Sequence, residues 1–197
     1  MPIENLPEVV RATYEAHEWK HASAILEADF PPEWADIIEV LSAVRVRRSH
    51  VTVGGGGRSK ITQLIDRAFY DRGWVQKKWE TKIVVDDAVS ESPTHKVDCY
   101  KNGVALEIEW SNKDPFFDRD LNNFRLLFDL RAISVGVIVT KSDEYIDVFK
   151  NLGKRIWNKY GKSTTWMSKL LPRIEGGGGG GCPILVFGLT KKLYIED

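Results

Sequence analysis

Residues 95–113, HKVDCYKNGVALEIEWSNK, decide the fold. Asn102-Gly103 is the strongest short hairpin signal in the chain, because a type I′ turn needs positive φ at both of its central residues. A reversal there pairs Lys101 with Val104 and carries Asp98 opposite Glu107 and Lys96 opposite Glu109. Side chains alternate between the faces of a strand. Val104, Leu106, Ile108 and Trp110 therefore point one way with Val97 and Cys99, and form a core face. Ala105, Glu107, Glu109 and Ser111 point the other way with Asp98 and Lys96. Cross-strand Cβ atoms lie roughly 4.5–5.5 Å apart, so like charges in that position repel. A divalent cation held by hard oxygen ligands compensates such a cluster. The other reading is a solvated polar face relieved by Lys96. No His or Cys stands near at zinc-ligand spacing, so Mg²⁺ fits the donors. His95 is adjacent and reads as incidental or as a phosphate contact.

Working outward, residues 6 to about 28 read as an amphipathic helix with Pro7 in its first turn. Pro31-Pro32 breaks it, and PPEWADIIEVLSAV opens a second helix. VTVGGGGRSK is a loop or edge leading to a third helix, SKITQLIDRAFYDR, with Ser59 as N-cap and Gly73 past its end. Strand-like pieces follow in WVQKKWETKIVVDD, HKVDCYK and VALEIEW, then a helix over 118–131. ISVGVIVTK is a continuous apolar run of the kind a doubly covered strand shows. A basic helix, DEYIDVFKNLGKRIWNKY, and a last strand, PILVFGL, complete the pattern. The alternation predicts an α/β fold: a central mixed β-sheet flanked by helices, with additional N-terminal helices. The expected organisation is one domain over residues 1–197, helical over 1–50 and carrying its core in 74–190. No internal repeat is present.

The chain has 197 residues, of which 43% are hydrophobic, enough for a single sizeable core. Its formal net charge is zero, so the total says nothing of a polyanionic partner, but the distribution is uneven. Acids crowd residues 1–40, while bases gather at Arg45, Arg47, Arg48, Arg58 and Lys60 and again from Lys150 to Arg173. Segregated charge offers a polyanion a positive face, or simply solvates two helix faces. Two cysteines, Cys99 and Cys182, are too few for a disulfide framework or a zinc site and read as small core hydrophobes. No signal peptide or membrane span is apparent, so a cytoplasmic location is expected.

An Asp followed about nine residues later by Glu-x-Glu on the next strand resembles the active site of the PD-(D/E)XK nucleases. RSKITQLIDRAFYDRGW through VDCYKNGVALEIEWSNKDPFF is similar, more narrowly, to the BglII and BstYI type II restriction endonucleases. Weaker likeness extends to ISVGVIVT and PILVFGL. Two departures stand out. Glu109 occupies a position where the superfamily usually has Lys and the BglII-like enzymes Gln, closer to the BamHI arrangement; and Lys96-Val97 precede Asp98 where the superfamily has proline. The resemblance implies a restriction-endonuclease-like core and a catalytic set of Asp98, Glu107 and Glu109. It assigns Mg²⁺ to the side chains of Asp98 and Glu107 and the carbonyl of Ile108. Glu109 positions or deprotonates the attacking water, or joins a second metal site. The implied reaction is double-strand cutting of DNA at a short palindromic site with a GATC core, leaving 5′-phosphate and 3′-hydroxyl ends.

Ser111, Asn112 and Lys113 leave the catalytic strand directly and are expected against the DNA, where Asn reads a base edge and Lys a phosphate or guanine. Lys162, Ser163, Thr164, Thr165 and Arg173 form a second candidate surface, with a helix N-cap at Ser163 as the alternative. Arg58 and Lys60 are placed to wrap a backbone. Palindromic sites are read by two-fold dimers, so a homodimer joined through the N-terminal helices is expected.

Neither a nucleotide cofactor nor a membrane is expected. GGGGRSKIT fails the spacing of a phosphate-binding loop, and the six glycines at 176–181 precede a strand where a dinucleotide fingerprint follows one. Both read as flexible loops that close around DNA. A repair or recombination nuclease of the same superfamily, and a non-catalytic DNA-binding module, remain open at this level.

Overall fold

The chain reverses at Asn102-Gly103, whose φ angles are 45° and 93°. The computed structural model describes residues 3–53, 57–91 and 94–197. Along the chain the elements are α1 (Glu8–Thr13), β1 (Tyr14–Trp19), α2 (Ala22–Asp29), α3 (Pro31–Ala43), β2 (Val46–Arg47), α4 (Arg48–Thr52) and α5 (Lys60–Tyr70). There follow β3 (Val75–Lys77), β4 (Lys82–Val85), β5 (Ala88–Glu91), β6 (Val97–Lys101), β7 (Val104–Ile108) and α6 (Pro115–Asp129). The last third holds β8 (Val135–Lys141), α7 (Tyr145–Asn151), α8 (Lys154–Tyr160), α9 (Met167–Glu175), β9 (Ile184–Leu189) and β10 (Tyr194–Ile195).

Six strands form one sheet in the order β1-β9-β8-β7-β6-β3. β7, β8 and β9 run parallel, and antiparallel strands flank them on both sides. This is the mixed α/β sheet flanked by helices that the alternation predicted. β7, β8 and β9 are buried along their whole length because helices cover both faces. On one face, Ile37 and Leu41 of α3, Ile61, Ile65 and Phe69 of α5, and Phe149 and Tyr160 of α7 and α8 pack with Leu106, Ile108 and Val137. On the other, Phe117, Leu121 and Phe124 of α6 and Met167, Leu170 and Ile174 of α9 pack with Ala105, Ile138 and Val186.

Three expectations are corrected. The helix expected over 6–28 is interrupted by β1, which runs antiparallel to β9 with Tyr14 paired to Leu189. Lys20 and His21, at φ 58° and 57°, then turn the chain into α2. An apolar pattern cannot distinguish an edge strand from a helix when its partner lies at the far end of the chain. The segment expected to be helical throughout, 1–50, thus contributes a strand to the core sheet. The single basic helix expected over 143–160 is two helices, divided at Gly153, whose φ of 101° an L side chain rarely adopts.

The glycines at 176–181 are not a loop standing clear of the body. Gly178 N donates to Arg173 O at 2.9 Å and Cys182 N to Gly179 O at 3.1 Å, winding the run into successive turns. A Cβ on Gly179 would lie 2.3 Å from Ile184 Cδ1, and one on Gly180 2.6 Å from Arg125 Cγ, so the turns pack against α6 and β9. The other run, at 54–56, lies outside the described residues. Cys99 and Cys182 are free and buried, as expected. Among the described residues, no helix is long and apolar enough to cross a membrane.

Candidate active site

The site forms where the β6–β7 ladder gives out. Val75 pairs with Tyr100, but Lys77 pairs with Val97, so β6 carries one extra residue against β3, a β-bulge centred next to Asp98. The bulge moves Val97 off the Cys99 face. Val97 packs with Ala105 beneath α6 and α9, whereas Cys99 packs with Leu106 on the opposite side, so the strict alternation expected for these residues does not hold. The paired register with β7 ends at Cys99–Leu106. Beyond it, side chains take over from the ladder. Asp98 N donates to Glu107 Oε2 at 3.3 Å, and Ile108 N donates to Asp98 Oδ2 at 3.3 Å. Asp98 and Glu107 are therefore neighbours across the hairpin, joined through each other's backbone.

Glu109 goes with β8 instead of facing Lys96. Its N–H donates to Val139 O at 2.8 Å, and its carbonyl accepts from Thr140 Oγ1 at 2.8 Å and Thr165 Oγ1 at 3.1 Å. The alternative reading, a solvated polar face, does not hold: Glu107 and Glu109 are each 1% exposed. The cause is α6, which lies over this face and adds a fourth carboxylate, Asp120, that is fully buried.

Crowding acids away from water favours their protonated forms. Burial, then Asp120 and Asp98, raises Glu107 well above the usual carboxylate range. Burial and Asp120 push Glu109 up to about 9, opposed by its hydrogen bond from Asn112. Burial raises Asp120 to about 6 against the pull of Arg119. As ionised groups, Glu109 Oε2 and Asp120 Oδ2 lack a donor; a proton between them supplies one. Asn112 Nδ2 donates to Glu109 Oε1 at 3.0 Å, and Arg119 Nη2 lies 3.6 Å from the same oxygen while donating to Asp120 Oδ1 at 2.7 Å.

In front of Asp98 stands Arg58. Its Nη2 donates to Asp98 Oδ1, and its Nη1 lies 2.9 Å from Asp66 Oδ2 in ion-pair rather than hydrogen-bond geometry. Asp66 projects from α5, is 3% exposed, and is raised by burial to about 7 despite Arg58. Tyr70, one turn further along α5, donates from its hydroxyl to Asp98 O at 3.1 Å. Arg58, His95, Asp98, Ile108, Ser111, Asn112 and Arg119 all line one open cavity of about 330 Å³.

Of the residues expected to meet DNA, Arg58, Ser111 and Asn112 thus share a cavity with Asp98. Lys60 and Lys113 are exposed, at the start of α5 and after β7. The strand exit and the second candidate segment are joined: Lys113 bridges Thr164, Thr165 N donates to Asn112 O at 2.9 Å, and Asp114 N to Ser163 O at 3.3 Å. Lys162 and Ser163 are exposed. Thr164 and Thr165 are buried, with their hydroxyls spent on Tyr160 O and Gly161 O and on Glu109 O, so they shape the segment from within. The helix after Ser163 begins at Met167 with Trp166 as N-cap, so Ser163 caps nothing. Arg173 pairs with Asp118 at 2.8 Å and lines a separate cavity on α6 and α9.

Asp66, Asp120 and Arg119 escaped the sequence reading. Asp120 was findable: in PFFDRDLNNF it falls on the stripe of Phe117, Leu121 and Phe124, where an acid is out of character. Asp66 likewise follows Ile65 on the buried side of α5.

The donor chemistry fits a hard divalent cation. Glu107 Oε1 is buried without a partner beside Asp98, and Ile108 lines the same cavity as Asp98. Among the described residues no three His, Cys, Asp or Glu side chains are arranged around one metal position, so the set at hand is two carboxylates and a carbonyl.

The comparisons with known proteins agree with this fold. The family model for Endonuc-BglII, restriction endonuclease BglII/BglIII, matches residues 14–189. No curated protein sequence matches the chain.

Proposed function

Because the chain belongs to the BglII/BglIII restriction endonuclease family, and is by that membership an endodeoxyribonuclease of double-stranded DNA, we propose that it cuts both strands at a short palindromic site with a GATC core, using Mg²⁺. Restriction endonucleases generally use a divalent metal. Here Asp98 and Glu107 would hold it through their side chains and Ile108 through its carbonyl. The observation that carries this reading is the pairing of Asp98, at the cavity wall, with the buried and unpartnered Glu107 Oε1 behind it. Membership favours restriction over the repair nuclease and the non-catalytic module.

The bound ion supplies Lewis acidity to the scissile phosphate and lowers the pKa of a water. The protein's own groups do the rest. Glu109, tethered by Asn112 and Arg119 and pinned at its carbonyl by Thr140 and Thr165, orients the attacking water, or deprotonates it once the charge of a bound cation has released the proton that the metal-free fold holds on Glu109. Arg119, stacked on Phe116 at 4.2 Å, offers a guanidinium to phosphate charge from the cavity rim. Ser111 and Asn112 face the scissile step, Lys113, Lys162 and Ser163 flank them, and Lys60 and Arg173 meet the backbone further out. A cytoplasmic homodimer joined through the N-terminal helices would present two such sites to the two strands of a palindrome.

The test is digestion of a sequenced plasmid in Mg²⁺, with mapping of the ends. Discrete fragments with 5′-phosphates at one palindrome are expected from the wild type. Asp98→Ala and Glu107→Ala should lose at least a thousandfold in cleavage while retaining DNA binding. Cleavage at wild-type rates by either variant would overturn the assignment of the carboxylates.

A further inference from the structure

Arg58 is the feature that the catalytic scheme leaves unexplained. It precedes Ser59, the N-cap of α5, and its carbonyl is held by Gln63 Nε2 at 2.8 Å, so its backbone is fixed to the helix. Its side chain leaves the helix and spans to the sheet, one nitrogen on Asp66 and the other on Asp98. The side chain is 37% exposed and lies in the wall of the cavity that a DNA phosphate must approach. The oxygen it takes is Asp98 Oδ1; Oδ2 is already engaged by Ile108 N.

A divalent cation binding at Asp98 has to compete with the guanidinium for that oxygen. Like charges about 4 Å apart repel strongly once they are partly removed from water. A phosphate, however, accepts the fork of an arginine as well as a carboxylate does.

We propose that Arg58 is a resident counter-ion at Asp98, which gives up its place to the divalent cation only when a DNA phosphate draws the guanidinium away. This inference rests on the reading of Asp98 and Glu107 as metal ligands. Its consequence is thermodynamic coupling. The free protein binds metal weakly, DNA strengthens metal binding, and metal strengthens DNA binding by the same factor. The enzyme is thereby spared loading with metal away from its substrate.

The experiment is Mn²⁺ binding to the full chain without DNA, followed by the electron paramagnetic resonance signal of the free ion. Wild type is compared with Arg58→Gln, with Arg58→Met, which keeps the aliphatic stem, and with Asp98→Asn. Both Arg58 variants should bind Mn²⁺ about tenfold more tightly than wild type, and Asp98→Asn more weakly than either. Circular dichroism confirms which variants fold, and either folded Arg58 variant suffices. Wild-type or weaker affinity in a folded Arg58 variant overturns the counter-ion proposal while leaving the carboxylate assignment intact. Unaltered Mn²⁺ binding by Asp98→Asn, together with undiminished cleavage, overturns the metal-ligand reading itself.

Discussion

Replacing Glu109 with Gln removes a carboxyl that the fold forces to keep its proton. In the unfolded chain this acid titrates near 4.5; in the fold, burial and Asp120 push it up to about 9. An acid raised on folding binds more protons folded than unfolded. Its favourable contribution is therefore complete below the unfolded value and is lost as the pH rises from about 4.5 toward 9. At pH ~7.5, roughly three units above the unfolded value, the ceiling of that loss is about 4 kcal/mol. Two groups reduce it: Arg119, 3.6 Å away, can close on an ionised Glu109, and Asp120 can take part of the charge. A gain of about 1–2 kcal/mol for Glu109→Gln is the expected remainder. Gln also brings an N–H that can donate to Asp120 in place of the shared proton. The assay is urea unfolding of metal-free protein in EDTA, at pH ~5 and pH ~8. Wild type should lose stability between the two. Glu109→Gln should match it near pH 5, exceed it near pH 8, and retain the part of the slope that belongs to Glu107. Parallel pH profiles for the two proteins would refute the claim that Glu109 is held protonated in the metal-free fold.

Lys141 is fully buried, and its Nζ donates to Trp110 O at 2.6 Å and to Thr165 O, tying the exit of the catalytic strand to the 162–165 segment. Lys141→Met should destabilise the fold by about 1–3 kcal/mol through two orphaned carbonyls, seen as a lower urea midpoint. It should also slow cleavage more than it weakens DNA binding, in paired rate and gel-shift measurements. Gly136 sits in β8 under Phe124, and a Cβ there would lie 2.4–2.9 Å from three ring atoms. Gly136→Ala should cost about 1–3 kcal/mol in thermal or urea unfolding, as overpacking does. Ser59 Oγ accepts from Thr62 N at 3.1 Å, so Ser59→Ala should cost about 1 kcal/mol in urea unfolding.

The catalytic hairpin was legible because its information is local. Asn102-Gly103 accepts positive φ where other pairs do not, the turn fixes the pairing of Cys99 through Leu106, and Asp98 and Glu107 become neighbours as a result. Ser59 as N-cap and the apolar runs of β8 and β9 are readable on the same grounds. Where the reading failed, contacts distant in sequence had prevailed. Pairing with β9 turned Tyr14–Trp19 from expected helix into strand, and a bulge against β3 moved Val97 to the other face.

The sequence by itself determined which acids share the hairpin, because a two-residue turn leaves the register no freedom. Only the tertiary structure decided what those acids experience. α6 closes over them, brings Asp120 and excludes water, while Arg58, just ahead of α5, joins Asp98 to Asp66 of that helix. Burial and the charge of non-local neighbours are properties of packing between elements, and no window of sequence around Asp98 contains them.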